Sequence, residues 1–532
     1  MVLNTDDRYK LIRGLGLLAA VSVIIGNVIG TGVFLKARVM TCNVGDSTWV
    51  IIAWIAAGML SLAGALTYAE LTAMKPEAAG PYVFLRDSYG RLSSFLFGWM
   101  QMFIARTGSQ AAVAVVFAIA LNDYLGGKLK QTLFSYRYDG PFAWFFEQLT
   151  SMLLWLGFSS ETTTYLFSGW INYNFTYELT TLQIIGVVII VIFTTLNCLS
   201  VSMSGQIATI LTGVKIALVL FVGLGAFLFV TGGSFDNFSL MNTGGTCEGV
   251  ADSVRIGSAE YTFLAGFGAA MLAALWGYDG WDNLSFVAGE VKDPSRNIPI
   301  AIIGSVLLVI VLYVAVHVAY FYILDPTAIA SISKDSSVAM VVVSKFFGGD
   351  ILSLATGVAV AIFTIGLMLS SLGTLHTSIL SASRIPYAMA KDGMMFKTFE
   401  KTSVNAVPVY GVLFQGVWAS ILALSGSFDT LTDYVIFGSW IFYALVTSSI
   451  FVFRRKYPNA ERPYKAWGYP VVPVVFLLVS GWLLVSTMYN TPQQSFTGIL
   501  LIILGLPVYY YLNNKGKNNG NADQQVSNDN DG

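Results

Sequence analysis

Runs of about twenty apolar residues, each long enough to cross a bilayer as a helix, recur from residue 15 to residue 513. The pattern predicts twelve spans, at residues 15–37, 48–72, 92–121, 179–198, 206–231, 259–290, 299–324, 351–383, 408–424, 430–453, 470–488 and 496–513. The first is too long for the core of a cleaved signal peptide and is expected to stay in the mature chain. Between the third and fourth lies an insert, residues 122–178, whose stretch Pro141 to Phe158 is apolar enough to imitate a thirteenth span. A crossing there would invert everything downstream and put the basic loops around Arg384 to Lys401 and Arg454 to Lys465 outside. It is therefore read as an extracellular interfacial or re-entrant element, either a cap on the outer face or a surface for a partner. The polar tail, residues 514–532, is expected to be disordered.

Charge fixes the orientation. With the N-terminus inside, 19 of the 29 Lys and Arg lie on the cytoplasmic side, 8 outside and 2 within spans, as the positive-inside rule requires. Both termini are then cytoplasmic, and the plasma membrane, the inner membrane in a bacterial cell, is the expected location. Only 11% of the 532 residues are charged and 55% are hydrophobic, against about 25% charged in a soluble domain, which excludes an ordinary soluble enzyme. The net charge of -1, without a basic tract or zinc-like Cys/His spacing, excludes nucleic-acid binding. No cofactor or metal motif is present, and nothing bears on oligomeric state. Cys42 and Cys247 share the outer face, as a disulfide or as two thiols, while Cys198 lies near the inner face.

Two spans are interrupted by glycines, at GNVIGTG (Gly26 to Gly32) and WGYDGW (Trp276 to Trp281). A helix broken in mid-bilayer frees backbone groups that lipid cannot satisfy, so such breaks persist where they line a cavity. A pair of them in corresponding positions points to a carrier's substrate site. At the first break, amides of Gly30, Thr31 and Gly32 suit a carboxylate; the competing explanation is close helix packing through glycine. At the second, unwound carbonyls can accept from an ammonium group and Trp276 can close over a ligand. Asp279 has three readings: binding a cationic substrate, carrying a proton, or bracing the unwound backbone.

Lys215 lies about ten residues inside its span, too deep to snorkel easily. It either stands as a fixed charge in the place of a coupling cation, carries a proton through a lowered pKa, or anchors helices. The eighth segment presents hydroxyls at Ser370, Ser371 and Thr374, which back-bond to their own helix or coordinate a sodium ion or the Lys215 ammonium. Arg106 is read as a brace, and His376 as a packing residue or a proton relay.

At VIGTGVFLK (Val28 to Lys36), Lys215, LWGYDGWDNLSFVAGEVKDPSRNIP (Leu275 to Pro299), SRIPYAMAKDG (Ser383 to Gly393) and the final PVYYYL, the chain resembles the amino acid/polyamine/organocation superfamily. Within it, the L-type amino acid transporters and the bacterial serine/threonine exchangers are most similar. The resemblance implies an all-α membrane protein with two inverted five-helix repeats, residues 15–231 and 232–453. Helices 1 and 6 are broken, helices 11 and 12 (residues 454–513) are peripheral, and residues 1–14 form a cytoplasmic lead. It implies that Gly30, Thr31 and Gly32 bind the substrate carboxylate and that carbonyls of Val28, Trp276, Gly277 and Asp279 bind its ammonium. Trp276 would be the gate, and Lys215 would fill the sodium site of sodium-coupled relatives. An aspartate at the position of Asp279 occurs in members that take cationic as well as neutral amino acids, but also in the serine/threonine exchanger type, so it does not settle charge preference.

The chain departs from this pattern in its long insert, which lacks the cysteine that bonds a heavy chain in animal members, so no disulfide-linked partner is expected. The usual Glu-Glu after the sixth helix is Gly289-Glu290, which puts one cytoplasmic gate contact in doubt. The expected function is a sodium-independent exchanger or proton-coupled symporter of neutral and cationic L-amino acids. The alternatives are a polyamine carrier and a sensor that keeps the fold without transport.

Overall fold

The computed structural model describes residues 13–138, 148, 151–152, 154–155, 175–199, 201–334, 336–349, 353–425, 428–490 and 492–514. Most of the Pro141 to Phe158 element and the whole of the tail after residue 514 lie outside the described residues. The chain order is α1 (Leu17–Val28), α2 (Gly32–Leu35), α3 (Ala37–Val44), α4 (Ser47–Met74), α5 (Gly80–Tyr89), α6 (Arg91–Met100), a π turn (Gln101–Ala105), α7 (Arg106–Tyr124), β1 (Thr132–Tyr138) and β2 (Phe175–Thr180). There follow α8 (Thr181–Asn197), α9 (Val201–Phe229), α10 (Phe263–Tyr278), α11 (Pro294–Ile323), α12 (Pro326–Ala330) and α13 (Val338–Val343). The remainder comprises α14 (Leu354–Ala382), α15 (Arg384–Lys391), α16 (Val409–Ser425), α17 (Phe428–Lys456), α18 (Val471–Asn490) and α19 (Pro492–Ile503).

Among the described residues nine helices are long and apolar enough to cross a membrane, and Thr181–Asn197, Phe263–Tyr278 and Val409–Ser425 are shorter apolar ones. Their outer faces are apolar too: Leu224 and Leu228 on α9 and Val311 on α11 are 57%, 72% and 65% exposed. A helix hydrophobic on all sides needs a non-aqueous surround, so this is a multi-pass membrane protein. The all-α expectation needs one correction. The two ends of the insert pair as an antiparallel hairpin, β1 with β2, in which Ser135 opposes Glu178 and Tyr136 opposes Tyr177. Both strands carry β-branched and aromatic residues at alternate positions, the pattern that favours a half-exposed strand.

At the centre, α1 packs against α9, α11 and α14, while α10 packs against α4, α3 and α18. Both of these helices stop short. Ile29 leaves helical geometry with ψ 83°, and helix resumes at Gly32, running through Lys36 into α3. After Tyr278, Asp279 is extended and Gly280 has φ +102°, a conformation that favours glycine. Two short 3₁₀ turns, Asn283–Phe286 and Ala288–Glu290, then lead to α11, so the expected span 259–290 is helical over its first part only.

Opposite ends of the bundle are fastened differently. At one end, Cys42 and Cys247 form a disulfide, and Arg38 Nη1 donates to the Glu248 carbonyl at 2.8 Å. At the other, Leu15 bridges to Val291, with the amides of Gly14 and Leu15 both donating to the Glu290 carbonyl at 2.9 Å. The Gly289-Glu290 pair lies at this end. The Glu290 carboxylate takes a two-pronged ion pair from Arg384, at 2.8 and 3.0 Å, with both side chains at most 1% exposed. Removing one partner of such a pair strands a buried charge, which costs about 3–5 kcal/mol. Glu290→Gln is therefore expected to lower the thermal unfolding midpoint in detergent markedly; a midpoint equal to the parent's would show that the pair holds nothing together.

Candidate substrate site

The two breaks meet. A Cβ built on Gly32 would lie 2.9 Å from Gly277 Cα, and one on Gly280 would lie 2.8 Å from Asn27 Cβ. Neither contact tolerates a side chain, so glycine on each strand lets the two backbones touch. Packing and unwinding are thus the same feature here, not alternatives.

Beside this crossing lies a narrow cavity lined by Val28, Gly30, Thr31, Gly32, Trp276 and Asp279, with Arg106, Ser109, Thr374 and Ser378 on the walls from α7 and α14. A water centre has ≈ 20 Å³ in which to move, about the room of one water molecule, so the site is narrow. Gly277, Lys215, Ser370 and Ser371, also singled out in the sequence, do not line it.

Polar groups at the first break are unspent. The Gly30 amide donates to the Val28 carbonyl at 2.7 Å, and helical bonds begin with Phe34. The amides of Thr31, Gly32 and Val33 have no acceptor among the described residues. The Thr31 hydroxyl, buried at 1% exposure, has none either. Together these are donors gathered at one wall of a cavity, an arrangement suited to an anion.

Carbonyls at the breaks are largely claimed by side chains. Lys215, fully buried, places its ammonium 2.5 Å from the Gly26 carbonyl, 2.8 Å from that of Ile29 and 2.5 Å from Thr374 Oγ1. Three donors meet three acceptors across α1, α9 and α14. Ser371 back-bonds to Leu367 at 3.0 Å, and Ser370 Oγ has no partner among the described residues. The Tyr313 hydroxyl of α11 lies 2.7 Å from the Val28 carbonyl and 2.9 Å from that of Gly277, bridging the two breaks. The Gly277 carbonyl keeps a second lone pair for another donor, whereas that of Val28 already accepts from the Gly30 amide as well.

Asp279 faces the cavity and accepts from the Tyr443 hydroxyl of α17 at 2.7 Å. Arg106 is paired with Asp282, its Nη2 being 3.1 Å from each carboxylate oxygen. This pair ties α7 to the unwound stretch after α10, and Arg106 also lines the cavity. His376 is held by Asn197 and the Ser204 carbonyl, each at 3.0 Å, which satisfies both ring nitrogens and fits packing. Tyr313, Tyr443 and Asp282 escaped sequence reasoning. Only Asp282 carried a local signal, its place in the second glycine motif.

Two discontinuous helices crossing at glycine contacts, with free amides beside a polar cavity in an apolar bundle, define a membrane carrier. The chain belongs to the amino acid permease family, whose model matches residues 15–511. It is 26% identical to the b(0,+)-type amino acid transporter 1 of Mus musculus over 503 residues, covering 94% of this chain and 88% of that protein. The serine/threonine exchanger SteT of Bacillus subtilis is 27% identical over 515 residues, 96% of this chain and 98% of the exchanger. The large neutral amino acids transporter small subunit 2 of Oryctolagus cuniculus is 27% identical over 508 residues, 94% and 80% respectively. The chain is a permease, not an enzyme.

Gly32 and Gly30 give opposite expectations. Gly32→Ala puts a methyl against Gly277, forcing a shift of the kind that costs about 1–3 kcal/mol, so thermal stability and transport should both fall. At Gly30 the nearest atom to a Cβ is Thr374 Oγ1 at 3.6 Å, an ordinary contact, so Gly30→Ala should unfold within a few degrees of the parent. Equal midpoints for the two variants would refute the close crossing.

Proposed function

We propose that this chain exchanges L-amino acids across the plasma membrane by alternating access, without sodium, through the cavity between α1 and α10. The substrate carboxylate takes the amides of Thr31 and Gly32 and the Thr31 hydroxyl, with Gly30 allowing close approach. The ammonium takes carbonyls of Val28, Trp276, Gly277 and Asp279, those of Val28 and Gly277 being shared with the Tyr313 hydroxyl. Trp276 serves as the gate over the occupied site.

One observation carries the sodium-independent part: the Lys215 ammonium on the Gly26 and Ile29 carbonyls and Thr374 Oγ1. A cation needs such oxygens, and a fixed positive charge already among them excludes a second. Exchange is supported by the likeness to a serine/threonine exchanger, with substrate binding shifting the equilibrium between outward- and inward-facing states.

The nine long and three shorter apolar helices support twelve crossings, and the paired breaks support inverted repeats at residues 15–231 and 232–453. With lysine and arginine concentrated inside, the end closed by Glu290 and Arg384 is cytoplasmic and the disulfide end is extracellular. That leaves Cys198 as the remaining cysteine of three, at the inner end, so the carrier works without a disulfide-linked heavy chain.

Reconstitution in liposomes tests this proposal. Uptake of labelled amino acids from a mixed panel should require, or be stimulated several-fold by, unlabelled amino acid inside, and replacing sodium by choline should leave the initial rate unchanged. A rate that falls in proportion to sodium would overturn the role of Lys215 and return Ser370, Ser371 and Thr374 to the position of sodium ligands.

A further inference from the structure

The hydroxyls of α14 do not all behave alike. Those of Ser371, Thr374, Thr377 and Ser381 bond to carbonyls three or four residues back on their own helix, at 2.9–3.3 Å, the ordinary arrangement of Ser and Thr in an apolar helix. Ser378, which lines the cavity, makes no such bond among the described residues. Its Oγ accepts from Gln110 Nε2 of α7 at 3.4 Å, and its own proton has no acceptor among them.

Gln110 is held in turn from α16. Its Nε2 also donates to Gln415 Oε1 at 3.2 Å, and three residues further along α16 Trp418 Nε1 donates to the Phe103 carbonyl of the π turn at 2.9 Å, which fastens α16 beside α7. Both amides are fully buried, yet Gln110 Oε1 and Gln415 Nε2 have no partner among the described residues. Two apolar side chains of the same shape would avoid the cost of so poorly matched a pair. The pair supplies an N–H committed to one lone pair of Ser378 Oγ, which leaves the hydroxyl proton and the second lone pair free at the cavity. The other cavity hydroxyl on α14, Thr374, is already committed to Lys215 and to the Ser370 carbonyl.

With the two ends of an amino acid taken by α1 and α10, its side chain is left facing α7 and α14. We propose that Ser378, oriented by the Gln110–Gln415 pair, forms a side-chain subsite for neutral hydrogen-bonding groups and selects threonine over valine and serine over alanine. Ser378 is the group that meets the ligand; Gln110 and Gln415 are positioning residues. An entering hydroxyl accepts the Ser378 proton, whereas a methyl in its place leaves that buried donor unpaired, and a site discriminates strongly against the analogue that does so. The inference rests on amino acid transport through this cavity.

Threonine and valine have nearly the same shape, so their competition against one labelled substrate, in liposomes holding the full-length protein, isolates the hydroxyl. The parent should favour threonine by about tenfold or more, the worth of one such hydrogen bond, and serine over alanine in the same direction. Ser378→Ala and Gln110→Met should each bring threonine and valine towards parity, and the double variant should lose no more than either alone, a result that independent bracing of two helices would not produce. Gln415→Met, which releases Gln110 from α16, should lower the preference part of the way. Folding of each variant is checked by its elution profile and thermal midpoint. A parent that takes valine as readily as threonine would overturn the proposal, an outcome that needs no variant to fold. So would a folded Gln110→Met protein with the parent's preference, or losses that multiply in the double variant. Absence of any amino acid uptake by the parent would instead count against the transport reading itself.

Discussion

A fully buried lysine has three protons to place, and a helix interrupted in the bilayer has carbonyls to cap; in this protein each requirement answers the other. Without Lys215 the Gly26 and Ile29 carbonyls would lose the donor that holds them, and without the break the ammonium would have only Thr374. Hydrogen bonds to a charged group are worth about 1.5–3 kcal/mol each, and an unpaired ammonium there would cost far more. The packing makes room for this. A Cβ on Gly373 of α14 would come within 2.8 Å of Lys215 Cε, and one on Gly26 within 2.9 Å of Thr212 Oγ1. Small residues thus bring α1, α9 and α14 close enough for one side chain to join all three.

From that junction the rest of the site follows. The first break is pinned to α9 and α14 by Lys215 and to α11 and the second break by Tyr313. Carbonyls are consumed on that side while the amides of Thr31, Gly32 and Val33 stay uncommitted, so the junction separates acceptors from donors and gives the cavity a donor wall. Asp279 and Arg106 also line the cavity and are joined by hydrogen bonds through Tyr443 and Asp282. The ends of the bundle differ correspondingly: a covalent tie, Cys42 to Cys247, fastens one, whereas the other closes on the Glu290–Arg384 ion pair and a short backbone bridge, both of which can be broken and remade.

Both breaks, the buried lysine and the hydroxyls opposite it were legible in the sequence, because polar residues and glycine pairs stand out against an apolar run and carry a cost there. Residues whose function depends on a distant partner were not legible. Tyr313 reads as one aromatic among many in an apolar helix, and its contact with Val28 spans 285 positions. Arg384 looked like a loop cation until its contact with Glu290, 94 positions away, closed one end of the bundle. Asp282 was visible inside WGYDGWDN, but two aspartates three residues apart on unwound backbone give no period from which to say which faces a cavity. The hairpin in the insert was missed because short alternating runs between membrane spans resemble interfacial loops.

The central claim, that substrate sits between the two breaks against α14, is tested most directly by thiol protection at Ser378, which lines the cavity. In a Cys198→Ser background, with Cys42 and Cys247 locked in their disulfide, Ser378→Cys provides a single reactive thiol. Its labelling rate by a small water-soluble methanethiosulfonate reagent should fall several-fold at saturating transported amino acid and stay unchanged with the corresponding methyl ester, which lacks the carboxylate. A labelling rate indifferent to an amino acid that the same protein transports would place the substrate elsewhere and contradict the account.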